Sequence, residues 1–477
     1  MGAILGIEAA AMIPSIVIAL YCGEGDAKVL SLCALGLLVP GLLLWFLIPP
    51  QPGAHLRLLE GFIIVALGWL VLSIGGALPF FFSGRYPRFE DAMFESVSGF
   101  TTTGATVLTE FEGFPHGLMF WRASTHWIGG MGVLVLTLAL LPKLTGRSSH
   151  LVRAESPGPS LSKLVPHTGM TAKLLYRIYI LLTSFEFLAL LLCGLHPYDA
   201  ALHSLSNAGT GGFSNYSNSI AAFQNPAVEA VITVFMFLFG VNFALYYRFL
   251  ISGPRDKFLS FFRDEEFRWY LGATVSFIAV LTLLNLSYYG FNILRSFRYS
   301  AFEICSVFST TGFTTSNFND WGVASRMLIF FGMWFGASAG STAGGIKFVR
   351  VLLLGKTCCR SVRATGQPKK VQVVKLDGRA VDESMLNQIA IFTVLYVFLV
   401  IAGSFLLSLE GRFSSIDHLS AALTCLSNVG PAFGAVASDF AGYGVWGKLL
   451  CSFLMLAGRL ELFPMLILFT RSAWKTH

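Results

Sequence analysis

Four short segments of this chain repeat one arrangement of glycine and hydroxyl residues: SVSGFTTTGAT, SLSNAGTGGFS, SVFSTTGFT and CLSNVGPAF. One glycine stays in register through all four, at Gly104, Gly212, Gly312 and Gly430, with spacings of 108, 100 and 118 residues. What such segments can offer is backbone. Glycine accepts the φ values that turn successive carbonyls to one side, which a Cβ would oppose. A ring of carbonyls replaces the hydration shell of a monovalent cation. The residues that would line it are Thr102, Thr103 and Gly104; Thr210, Gly211 and Gly212; Thr310, Thr311 and Gly312; and Asn428, Val429 and Gly430. The fourth segment departs from the other three, because Asn428, Val429 and Pro431 replace the threonine-rich pattern.

Two further features carry possible chemistry. The stretch Gly336, Ala337, Ser338, Ala339, Gly340, Ser341, Thr342, Ala343, Gly344, Gly345 puts four glycines into the middle of a long apolar run. Each costs ~1 kcal/mol against alanine in a helix interior, so the helix should break there. A break at membrane depth is tolerated where it is buried in protein or lines a cavity. Arg459, in LMLAGRLELFPML, sits near the centre of the last apolar run. An intramembrane arginine marks a pore or a paired interior site. Glu461 is two residues away and points off another helix face, which makes it a poor local partner.

These residues need elements to hold them. Thirteen positions before each register glycine stand Asp91, Asp199, Tyr299 (beside Ser300) and Asp417. Asp and Ser are preferred N-caps, so each loop reads as a capped helix of about a dozen residues, followed by an extended return. Such a helix aims its partially negative C-terminus at mid-membrane.

Only 12% of the 477 residues are charged, about half the ~25% of a soluble domain. That excludes a soluble fold and intrinsic disorder alike. Ten apolar runs are long enough to span: 3–21, 29–48, 61–82, 118–141, 174–194, 226–250, 269–289, 322–355, 386–409 and 442–471. The eight cysteines include no CxxC pair and no histidine at zinc spacing. The N-terminus lacks a basic n-region and reads as a retained first span. The fold expected is an all-α polytopic membrane protein. It comprises two leading helices (1–50) and four span–loop–span repeats (51–150, 151–255, 256–375 and 376–477) around one pseudo-fourfold pathway.

Basic residues give the orientation. Segment 142–177 holds six Lys or Arg against Glu155, and 347–379 holds nine against Asp377, whereas 195–229 has none. By the positive-inside rule these basic loops and both termini are cytoplasmic, and the glycine loops enter from outside. Lys347 and Arg350 would place the lower end of the broken span near the cytoplasmic surface. The net charge of +7 then belongs to lipid contact and not to nucleic acid. Glu95 and Glu303 hold matching places on the first and third loops, with His203 and Ala421 in the others. Arg122 and His126, among Trp121 and Trp127, read as interfacial anchors. No Walker lysine, catalytic triad or metal cluster appears, so neither enzyme chemistry nor nucleotide binding is expected of this chain.

In this order, TTTGAT, FWRASTHWIGGMGVLVL, STTGFTTSN, GASAGSTAGGIK, CLSNVGPAFG and GRLELFP resemble the TrkH family of bacterial potassium uptake proteins, related to KtrB. The resemblance runs from about residue 60 to the C-terminus. It implies potassium uptake across the bacterial inner membrane, with K+ as permeant ion and no organic cofactor, and a homodimer. It also implies a cytoplasmic, TrkA-like nucleotide-binding regulatory subunit. In such proteins the stretch 336–345 is the loop that blocks the path beneath the filter, and Arg459 projects into the pore as its electrostatic half. An alternative is a sodium-coupled or weakly selective K+/Na+ transporter of the same superfamily, which the irregular fourth segment would suit. A secondary transporter built on an inverted repeat would need unwound segments of opposite orientation, whereas all four loops here enter from one side.

Overall fold

The computed structural model describes residues 1–47, 58–132, 168–251, 261–367 and 372–474. Residues 133–141 of the fourth run and residues 142–167 of the basic segment lie outside them. The N-terminal region is α1 (Gly2–Ala11), α2 (Ile13–Tyr21) and α3 (Asp26–Leu47). Pro14 sits at the start of α2, where a missing N–H costs nothing.

Four units follow, each a long helix, a short helix and a second long helix. The first is α4 (Leu58–Phe82), α5 (Phe89–Phe100) and α6 (His116–Gly130). The second is α7 (Thr168–Leu192), α8 (Pro197–Ala208), α9 (Pro226–Phe239) and α10 (Phe243–Ile251). The third is α11 (Glu265–Leu284), α12 (Ile293–Phe308), α13 (Val323–Gly332), strands β1 (Phe335–Gly336) and β2 (Ile346–Lys347), and α14 (Phe348–Gly366). A two-residue hairpin, β3 (Lys375–Leu376) with β4 (Arg379–Ala380), leads to the fourth. That unit is α15 (Glu383–Ser408), α16 (Ser415–Ser427), α17 (Val445–Arg459) and α18 (Phe463–Ile467).

The chain is an integral membrane protein by its surface as well as its composition. On α15, Ile391, Val394, Phe398, Ile401 and Phe405 form an exposed stripe at helical spacing, each about 60–70% exposed. Its opposite face, Phe392, Tyr396, Val400 and Leu407, is buried. A helix apolar on both faces has protein on one side and acyl chains on the other. Among the described residues six helices are long and apolar enough to cross, counting α1 and α2 together. In the second, third and fourth repeats the second long helix is interrupted. α9 and α10 meet at 89° across Gly240–Asn242, α13 and α14 are separated by residues 333–347, and α17 stops at Arg459 before α18 begins at Phe463.

The short helices are the innermost elements. Every residue of α5 from Phe94 to Phe100 is buried, as is every residue of α16 from Ser420 to Ser427. In the first, second and fourth units their lengths of 12, 12 and 13 residues agree with the expected dozen, whereas α12, at 16, is a turn longer. Their starts do not agree with expectation. The N-caps are Arg88, His196, Asn292 and Ser414. Asp91, Asp199 and Asp417 therefore lie three residues inside, and Ser300 is mid-helix. At α16 the reason is explicit: Ser414 and Asp417 form a reciprocal capping box, in which the acid belongs at the third helical position. In α12 the cap is Asn292, whose Oδ1 accepts from Arg295 N at 3.0 Å.

Candidate functional site

Each short helix ends in the same turn. The amide of Thr103 donates to Ser98 O, Gly211 to Ser206 O, Thr311 to Ser306 O and Val429 to Thr424 O, at 2.9–3.1 Å. This is the six-to-one bond that closes a helix on a left-handed residue. The left-handed residues are Thr102, Thr210 and Thr310, each with φ 56°, and Asn428 with φ 54°. Two residues later the register glycines are left-handed again, with φ 79°, 74°, 80° and 102°. The residue between them is not. Alternation of handedness turns consecutive carbonyls to the same side.

The four strands close on one another. A Cβ on Gly104 would stand 1.9 Å from Gly211 O, one on Gly212 2.0 Å from Thr311 O, and one on Gly312 2.1 Å from Val429 O. A Cβ on Gly430 would stand 2.5 Å from Thr103 O, which returns to the first strand. Each glycine therefore abuts the carbonyl just before the glycine of the next strand, in cyclic order one, two, three, four, one. Alanine would collide at every step. The sequence separates these partners by about a hundred residues or more, yet the ring is continuous.

The threonine hydroxyls serve the scaffold. Thr103 Oγ1 lies 2.8 Å from Thr101 Oγ1 and accepts from Asn428 Nδ2 at 2.9 Å. Thr311 Oγ1 lies 2.7 Å from Ser309 Oγ, and Thr210 Oγ1 donates to Gly209 O. Asn428 also donates to Met455 O at 3.0 Å. The side chain that interrupts the threonine pattern thus ties the fourth strand to the first and to α17.

Behind strands one and two stands a buried ion pair. Glu95, fully buried, accepts from Thr106 Oγ1, from Val107 N and from Arg122 Nε at 2.5 Å. Arg122 donates onward to Ser214 O at 2.9 Å and lies 3.5 Å over the Phe213 ring. His126, one turn along α6, stacks on the other part of this cluster, 4.0 Å from Phe213. Its Nδ1 lies 2.9 Å from Ser206 Oγ. Arg122 and His126 are therefore filter-backing residues, 2% and 0% exposed, and not interfacial anchors. His203, the counterpart of Glu95 on α8, bonds Ser214 Oγ at 3.0 Å. Glu303 is buried on α12, with Oε2 lacking a hydrogen-bond partner among the described residues.

The segment from Gly336 to Gly345 leaves α13, passes under the strands and returns to α14. β1 and β2 pair in parallel, Phe335 with Ile346 and Gly336 with Lys347, and close the neck of the loop. Gly344 N donates to Thr310 Oγ1 at 2.7 Å, and a Cβ on Gly344 would meet Ser427 O at 2.5 Å. The loop is thus in direct contact with the third and fourth filter strands. At the break between α9 and α10, Ser338 N donates to Gly240 O and Phe243 N to Gly340 O, each at 3.0 Å. Glu266, near the start of α11, accepts from Ala339 N at 2.6 Å and Val349 N at 3.2 Å. Arg459 reaches the same loop from α17. Its guanidinium donates to Thr342 O at 2.7 Å and to Gly129 O and Gly130 O at 2.6 Å.

Two placements differ from expectation. Lys347 and Arg350 are each 7% exposed; Lys347 Nζ donates to Ala343 O within the loop, and Arg350 pairs with Glu461. They are internal fasteners and not surface markers. Arg459 is the last residue of α17 rather than the middle of a continuous span, and Glu461 and Leu462 after it carry φ 53° and 70°. Lys347, Arg459 and Glu266 therefore hold the loop by hydrogen bonds to Ala343, Thr342 and Ala339, and the expected site residues from all four repeats meet in one place.

Known proteins share this architecture. The TrkH family, described as a cation transport protein, matches residues 37–475, so the likeness begins before residue 60. The chain is 36% identical over 468 residues to the Trk system potassium uptake protein TrkH of Salmonella typhimurium, covering 97% of this chain and 95% of that protein. It is 31% identical over 479 residues to the Trk system potassium uptake protein TrkG of Escherichia coli, covering 100% and 97%. The crystal structure of the potassium transporter TrkH from Vibrio parahaemolyticus superposes with a TM-score of 0.89 at 31% identity, over 99% of this chain and 98% of that one.

Proposed function

The chain belongs to the TrkH family of cation transport proteins, and from that premise we propose that it takes up potassium across the bacterial inner membrane through a central pore. The observation that carries this reading is the closed ring of four glycines, each set against the carbonyl of the next strand. Alternating left-handed residues at each strand direct carbonyls inward, where they substitute for water around a dehydrated monovalent cation. Four helix C-termini behind them add partial negative charge. K+ is the permeant ion and no organic cofactor takes part.

Gating rests on the loop 336–345 and Arg459. The loop contacts the inner end of the filter through Gly344, and the arginine latches it through Thr342 while holding α6 through Gly129 and Gly130. A fixed positive charge in this position raises the free energy of a cation leaving the filter. Withdrawal of the loop opens the path. Control by a TrkA-like cytoplasmic nucleotide-binding subunit, assembly as a homodimer and cytoplasmic termini complete the reading; their support is family membership and the basic segments.

A weakly selective K+/Na+ pathway is the second reading, and one observation favours it. The fourth glycine is the least like the others, with φ 102° and a 2.5 Å approach where the rest have 1.9–2.1 Å. A ring loosened at one strand holds its carbonyls less firmly at the spacing that K+ requires. Ion-resolved flux in proteoliposomes distinguishes the two. Rb+ or K+ uptake well above Na+ uptake supports the first reading, equal uptake the second, and uptake of neither by protein with its latch removed refutes both.

A further inference from the structure

A cleft of about 760 Å³ opens between α11 and α14, beside the neck of the loop. One wall is Trp269, Ala273 and Phe277, at four-residue steps along one face of α11. Eight residues of helix rise make that wall ~12 Å deep. The inner end is aromatic: Phe308 at the end of α12, Phe335 in β1 and Phe348 at the start of α14. Ring centroids step inward from Phe277 to Phe308 at 4.9 Å and from Phe308 to Phe348 at 5.5 Å. The outer end is basic. Lys356, Arg360, Arg363 and Lys375 line it beside Trp269, which is 57% exposed.

We infer that this cleft binds an anionic phospholipid, its acyl chain between α11 and α14 and its phosphate on Lys356, Arg360 and Arg363. The shape is that of a lipid rather than of a soluble metabolite, because a deep apolar slot ends in a charged mouth at an aromatic belt residue. Charge selects the headgroup. The lining itself holds these four cations and no carboxylate; the acids beside it are Glu265, paired with Lys356, Glu383, paired with Arg360, and Asp377, which accepts from Glu265 N, so cations outnumber acids at the mouth. The Glu383 side chain is 65% exposed, and a surface ion pair of that kind yields readily to a phosphate that the guanidinium can grip with two N–H groups. The inner end gives the site its consequence, since an acyl chain there lies against Phe335 and Phe348, which belong to the two arms carrying the loop.

The experiment is phosphatidylglycerol retention by the full-length protein in detergent, read by native mass spectrometry against phosphatidylcholine. Two variants address the two ends of the cleft. The triple variant Lys356→Gln, Arg360→Gln, Arg363→Gln should retain ~10-fold less phosphatidylglycerol, the effect of losing roughly one charge-assisted contact or more. Gly355→Phe keeps every charge but fills the slot. A Cβ at Gly355 would meet nothing within 4 Å in the protein, so the position has room for a side chain, and this variant should lose retention to a similar degree. Lys173→Gln with Arg177→Gln, basic positions on α7 away from the cleft, should retain phosphatidylglycerol as the wild type does. Undiminished retention in Gly355→Phe would overturn the proposal, as would equal retention of phosphatidylcholine by the wild type. A changed oligomeric state in Gly355→Phe with unchanged lipid would assign the cleft to a second copy of the chain instead.

Discussion

Replacing Arg459 with alanine should release the loop, and the size of the effect follows from its hydrogen bonds. The guanidinium makes two bonds to α6, at Gly129 and Gly130, and one to the loop, at Thr342. The α6 bonds do not involve the loop, so the Thr342 bond is the one whose loss separates closed from open. A hydrogen bond to a charged group contributes ~1.5–3 kcal/mol net. Taking that from one side of a two-state equilibrium shifts its ratio by ~10- to 150-fold. Rb+ flux through proteoliposomes at matched protein density should therefore rise at least ~10-fold until the open state saturates. Arg459→Lys separates charge from latch. It keeps the positive charge on a single nitrogen that cannot fork between Thr342 and both α6 carbonyls, and should give an intermediate flux. Wild-type flux in both variants would refute the latch, and alanine-like flux in the lysine variant would show that the fork, rather than the charge, does the blocking.

Three further outcomes are expected. Asn428→Gly keeps the left-handed backbone but loses the amide bonds to Thr103 and Met455, so K+ over Na+ discrimination should fall while flux persists; Asn428→Ala adds ~1–2 kcal/mol of left-handed strain and should lower the melting temperature as well. Arg122→Gln strands the Glu95 carboxylate behind the filter, a loss of ~3–5 kcal/mol typical of half a buried ion pair, and thermal unfolding should show a recovery when Glu95→Gln is added. Glu266→Gln weakens acceptance from Ala339 N in the loop and Val349 N in α14, and basal flux should rise a few-fold without a change in ion selectivity.

Much of this site is legible in the sequence because its signals are local. The glycines at 104, 212, 312 and 430 are required by a backbone conformation, and a residue type forced by its own φ can be read without knowing its neighbours. The loop 336–345 is legible for the same reason, since four glycines in ten residues cannot continue a helix. What stays hidden is pairing across the fold. Arg122 meets Glu95 over 27 residues and Ser214 over 92, and nothing in the segment around Arg122 separates a buried arginine from an interfacial one. An arginine and a glutamate placed in apolar segments of the same repeat are the trace such a pair leaves. The end of α17 at Arg459 is a different case. Pro464 at the start of α18 forecasts a helix beginning there, since proline favours a first turn. The aspartates at 91, 199 and 417 mislead because acids suit both the cap and the third helical position, and only the capping box at Ser414 decides between them.

The central claim is that four glycine-bearing strands form one carbonyl ring, and Gly312→Ser tests it most directly. A Cβ there would lie 2.1 Å from Val429 O at φ 80°, so serine must push the neighbouring strand's carbonyl aside. Measured as K+ and Na+ uptake into proteoliposomes in the Arg459→Ala background, where the latch is absent, discrimination should fall ~10-fold or more, the equivalent of ~1.4 kcal/mol lost between the two ions. Intact discrimination with undiminished K+ flux would contradict the account, because no ring built on this glycine could absorb that displacement.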